Sequence, residues 1–86
     1  MGEARLNCGQ GAGWLWASPA TQCWVAGYHG QEPAPLTLKL PEGEISLDGI
    51  TVGTIIWDKG AVTIEVVGLQ GEPRIVGGRL DRLIGL

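Results

Sequence analysis

The side chains that could do chemistry are few: Cys8, Cys23, His29, Ser18, Ser46 and a thin scatter of carboxylates. Cys8 and Cys23 enclose 14 residues that hold two of the four tryptophans, and a third, Trp24, follows Cys23 directly. A disulfide closing such a loop would stabilise by about 3 kcal/mol in the chain-entropy model. With only two cysteines and no secretory leader, the thiols are expected to stay reduced. No C-x-x-C pair is present, so dithiol redox chemistry is not expected. A metal site would have to join Cys8, Cys23 and His29 to a carboxylate, and that spacing lacks the close ligand pairs of zinc modules. No metal and no cofactor are expected.

A nucleophilic triad can be written on paper from Ser46, His29 and Asp48, but nothing in the pattern aims these residues at one another. Ser46 falls on an expected strand rather than on a sharp turn, and Asp48 and Asp58 are explained by turns. The glycine run GQGAG at 9–13 is not a phosphate cradle. It follows no strand, opens no helix and has no Lys-Ser/Thr behind it. The chain is expected not to be an enzyme.

Composition sets the frame for these residues. Eighty-six residues, 44% hydrophobic and 17% charged, make a single globular domain. Fifteen glycines and five prolines suit short strands and turns. The net charge of −3 and six dispersed Lys and Arg argue against nucleic-acid binding. No apolar run approaches the roughly 18 residues of a membrane helix. The opening MGEARLNCGQ has neither the basic region nor the apolar core of a signal peptide. The expected location is the cytoplasm, or a virion assembled there.

The elements that must position these groups are strands. LTLKL (36–40) alternates, PEGE (41–44) turns, and EISL leads into Asp48-Gly49, a favoured pair for a two-residue hairpin turn. ITVGTIIW (50–57) then runs to Asp58-Lys59-Gly60, read as a three-residue loop, and AVTIEVV (61–67) returns. These turns set Leu47 against Ile50, Leu40 against Ile45, Trp57 against Ala61 and Ile56 against Val62. The common core face is then Leu36, Leu38, Leu40, Ile45, Leu47, Ile50, Val52, Ile56, Val62, Ile64 and Val66. EPRIV (72–76) adds a short strand whose Ile75 joins that face. RLDRLIGL (79–86) places Leu80, Leu83 and Ile84 on one helical turn, too short to stand alone.

At the front, WLWA (14–17) and QCWVAGY (22–28) flank Ser18-Pro19-Ala20-Thr21 as a hairpin with Trp16 against Cys23 and Leu15 against Trp24. The expected fold is therefore all-β: an antiparallel meander of four to five strands plus an N-terminal β-hairpin, as a small barrel or sandwich. Its parts are a Gly-rich arm (1–13), a Trp hairpin (14–28), the meander (36–76) and a C-terminal tail (79–86).

On this plan Ile55 and Trp57 form an apolar patch on the outer face of the meander, while Trp14 and Trp16 share a face opposite Trp24. Trp14, Trp16, Trp24, Tyr28, Ile55 and Trp57 are the expected contact residues. The expected function is that of a structural or assembly protein that self-associates or docks on a larger complex, such as a small phage or virion component. The alternative is a small binding module that stacks a carbohydrate or other planar ligand on Trp14, Trp16 and Tyr28, with His29 nearby.

Overall fold

The computed structural model describes residues 3–86 and is all-β, a single mixed sheet of seven strands that does not close into a barrel. The strands are β1 (Arg5–Asn7), β2 (Ala12–Ser18), β3 (Cys23–Lys39), β4 (Glu44–Asp58), β5 (Ala61–Val67), β6 (Arg74–Val76) and β7 (Arg79–Gly85). One 3-10 turn, Pro19–Thr21, joins β2 to β3.

The frame is a long hairpin of β3 and β4, 17 and 15 residues. β3 passes through Pro33-Ala34-Pro35, and β4 through Asp48-Gly49, the pair that the sequence suggests as a hairpin turn. Pro33-Ala34-Pro35 stays extended inside β3, as proline's fixed φ allows. Asp48-Gly49 does not reverse the chain. Gly49 adopts φ +75° and forms an irregularity at which two residues of β4 oppose Pro35 alone. Leu47 therefore pairs with Leu36 and Ile50 with Ala34, and the expected Leu47–Ile50 hairpin does not exist. The Asp48 carbonyl accepts a hydrogen bond from the Gln70 amide at 2.9 Å, so the 68–71 segment docks on the kink.

The outer halves of this hairpin carry different neighbours. β2 pairs with the first half of β3 and β1 with its second half; β5 pairs with the second half of β4 and β6 with its first half. β7 adds parallel to β5, so RLDRLIGL is a strand and not a helical turn. The hairpin bends back on itself until Gly43, at its tip, lies against the Trp57 ring: a Cβ there would stand 2.7 Å from Cη2. The core fills the concave side.

Trp24, Ala26, Tyr28, Ala34, Leu36 and Leu38 of β3 and Ile45, Leu47, Ile55 and Trp57 of β4 line that core, on two stretches separated by an irregularity between His29 and Ala34 where Glu32 is exposed. Ile50, at the Gly49 irregularity, is buried out of phase. Lys59 and Gly60 both take positive φ, 51° and 88°, and form a two-residue turn that sets Asp58 against Ala61. The three-residue loop read from sequence is off by one, and a slip of one exchanges the faces of a strand. Trp57 thus faces Val62 rather than Ala61, and Ile56 faces Thr63 rather than Val62. Val52 and Ile56 leave the expected core face, and Ile55 and Trp57 take their place. The other nine expected core residues are buried. Ile75 packs against the core, half-buried.

The glycine arm is fixed rather than loose. β1 pairs with Thr37–Lys39, and a Cβ on Gly11 would stand 2.3 Å from the His29 carbonyl oxygen.

Candidate functional site

The six contact residues named from sequence separate into two groups. Trp24, Tyr28, Ile55 and Trp57 point into the core, each less than 5% exposed, and offer a partner very little surface. The reason is the continuity of β3 and the one-residue slip at Lys59-Gly60. The indole N–H of Trp57 is buried with no hydrogen-bond partner among the described residues. Trp14 and Trp16 are 52% and 54% exposed.

Both exposed indoles stand on β2 and on the convex face of the sheet. Trp14 is opposite Gly27, and its ring occupies the space a side chain there would need: a Cβ would stand 2.3 Å from Cε2 and Nε1. Trp16 is opposite Val25, which is opposite Ile56, so one cross-strand row reads Trp16, Val25, Ile56, Thr63, Arg82. The next reads Trp14, Gly27, Thr54, Glu65, Ile84. Ile56 is 39% exposed and extends the tryptophan surface across the sheet. Leu15, between the tryptophans, points to the other side and packs against the core. Ile56 escapes the sequence reading because the register between β4 and β5 hides it.

β2 is also an edge. It pairs with β3 alone among the described residues. Its sequence, AGWLWAS, contains no charge and no proline. The other edges are guarded: β7 carries Arg79, Asp81, Arg82 and a register shift, β6 is three residues long with Arg74 and follows Pro73, and β1 is three residues long with Arg5. Short strands, charge, proline and bulges are how sheets prevent unwanted pairing. β2 has none of these.

The remaining chemistry is dispersed. Cys8 and Cys23 are free thiols. His29 is exposed on the convex face, at the end of the β2-paired stretch of β3 away from Cys23. Among the described residues no group of three His, Cys, Asp or Glu side chains could hold a metal ion. Ser46 and Asp48 belong to the second layer of the bent hairpin and Ser46 pairs with Thr37 and Arg74, so the paper triad is not assembled. No helix of the described residues is long and apolar enough to cross a membrane. No protein-family model, curated protein or solved structure matches the chain.

Proposed function

We propose that this is a non-catalytic structural or assembly protein that acts by self-association, or by docking onto a larger complex such as a small phage or virion particle. The observation that carries the reading is the combination on β2 of two half-exposed tryptophans with an unguarded strand edge. Tryptophan is enriched at the energetic centres of protein contacts, and an open uncharged edge supplies a row of unmade backbone hydrogen bonds beside them. The native mass, measured by size exclusion with light scattering up to ~100 µM, tests the reading. A dimer or larger species is the expected result; a 9.1 kDa species throughout that range overturns self-association.

A second reading draws on a shallow groove beside Trp14, lined also by Ala12, His29, Thr54, Glu65 and Leu86. An exposed indole with an imidazole, a hydroxyl and a carboxylate around it is a set that stacks on a sugar ring and bonds its hydroxyls. Tyr28 also lines this groove, although it is buried. Titration with simple glycans, followed by tryptophan fluorescence, tests it; an unchanged spectrum at ~10 mM glycan removes it.

A further inference from the structure

We infer that β2 pairs with the β2 of a second copy of this chain, antiparallel and about a two-fold axis through Leu15. The inference rests on the self-association reading and names its surface and register.

The direction in which the edge groups of β2 point follows from one hydrogen bond. The Lys59 amide donates to the Gln22 carbonyl at 3.0 Å, so the peptide joining Gln22 to Cys23 turns its carbonyl to β4 and its N–H, that of Cys23, to β2. Orientation alternates along a strand, so Trp24, Ala26 and Tyr28 face β4, and Cys23, Val25, Gly27 and His29 face β2. Their partners Ser18, Trp16, Trp14 and Ala12 therefore spend their backbone groups on β3. The groups left open on the outer edge of β2 are the N–H and C=O of Gly13, Leu15 and Ala17.

These three residues are symmetric about Leu15, and so is the sequence around them. GWLWA reads small, Trp, Leu, Trp, small in both directions. An antiparallel copy centred on Leu15 sets Leu15 against Leu15, Gly13 against Ala17 and Trp14 against Trp16. Leu15 then forms a hydrogen-bonded pair with its own copy, and the Gly13–Ala17 pairs flank it on both sides. Each such pair exchanges two bonds, which gives roughly six in all. The tryptophan pairs fall at non-hydrogen-bonded positions, where side chains approach most closely. Four indoles then form one cluster on the convex face, and the two sheets become continuous.

Charge at the contact does not oppose a copy of this chain. Nothing ionisable lies on β2, so an identical strand meets no like charge at the contact despite the net −3 of each chain. A shift of two residues either way would leave outward groups unpaired and set a tryptophan against Ala12 or Ser18. The self-complementary register is thus specified by both the hydrogen bonds and the side chains, as a two-fold interface requires.

Amide exchange on the native protein, read residue by residue by NMR at ~100 µM and at ~1 µM, tests this alongside the native mass. The expected result is a dimer in which the Gly13, Leu15 and Ala17 amides exchange at least ~10-fold more slowly at the higher concentration. An oligomer in which these three amides stay unprotected overturns the edge and leaves the self-association reading standing. A monomer at ~100 µM overturns both and leaves the edge for a strand of a different protein. Ala17→Pro gives an independent check, since it removes an outward N–H that β3 does not use. It is expected to keep a native circular dichroism spectrum and to weaken dimerisation at least ~10-fold; a native fold with unchanged dimerisation overturns the register.

Discussion

Trp24 and Trp57 stand directly opposite one another across the β3–β4 ladder, and both rings are buried. They anchor the concave side while Trp14 and Trp16, on the neighbouring strand, occupy the convex side. The chain has no phenylalanine, so these indoles supply most of its aromatic bulk. Half of that bulk builds the core and half is presented outward. This division confines the candidate contact surface to one strand edge and the rows beside it.

The phase of β4 can be tested with two adjacent residues. Ile55 is buried and Ile56 is 39% exposed, whereas the three-residue loop read from sequence would reverse them. Ile55→Ala is expected to cost about 2–5 kcal/mol, the range for emptying a packed isoleucine site. Ile56→Ala is expected to cost about 0.5–1 kcal/mol or less in the monomer. Urea unfolding of the two variants decides it, and the opposite order would mean that the strand is turned over.

Gly49 is the second point at which one atom matters. Its φ of +75° is a conformation that costs an L side chain about 1–2 kcal/mol. A Cβ there would also stand 2.6 Å from Gln70 Cγ, but a glutamine side chain can move aside. Gly49→Ala is therefore expected to destabilise by about 1–2 kcal/mol, and adding Gln70→Ala to recover little of it. A full recovery in the double variant, measured by chemical denaturation, would show that contact and not backbone strain sets the cost.

How much of this was legible in the sequence depended on parity. The hairpin of β2 and β3 was misplaced by two residues, with Val25 instead of Cys23 opposite Trp16. The turn between β3 and β4 was misplaced by two as well, with Leu38 instead of Leu40 opposite Ile45. Shifts of two keep every side chain on its face, so Trp14 and Trp16 were correctly set apart from Trp24. The shift of one at Lys59-Gly60 exchanged faces and hid Ile56. Asp48-Gly49 misled for another reason. The same dipeptide serves a tight turn or a kink, and the choice is made by pairing to β3, far away in sequence. One local signal was present: Trp24, Ala26, Tyr28, Leu36, Leu38 and Leu40 keep even parity across Pro33-Ala34-Pro35, as one uninterrupted strand would.

The cysteines are held apart by the same frame. Cys8 lies next to Gly13, where a Cβ would stand 3.0 Å from its Sγ. Gly13 pairs with Tyr28, and Cys23 is five positions along β3 from there, roughly 16 Å at the rise of a strand. A disulfide needs Cα atoms within about 7 Å. Air exposure of the folded protein is expected to form no bridge within the chain, and a reductant to leave its thermal midpoint unchanged. A peptide map showing Cys8 joined to Cys23 in folded monomer would contradict the pairing of β2 with β3.

The convex surface owes its shape to the absence of a side chain at Gly27. Trp14 lies across that position, with its indole nitrogen where a Cβ would be. Any larger residue must lift the ring into solvent, because the backbone on either side is held by β2 and β4. The strand itself should tolerate the change, since glycine is the weaker strand former and alanine brings no charge. Gly27→Ala is thus expected to keep the fold while raising the fraction of tryptophan fluorescence that acrylamide quenches and shifting the emission to the red. Trp24 and Trp57, closed in the core, should contribute nothing to that change. The comparison is made in a Trp16→Phe background, where Trp14 is the one remaining exposed indole. An unaltered quenching curve in the folded variant would mean that Trp14 does not rest on Gly27, and the convex tryptophan surface would have to be redrawn.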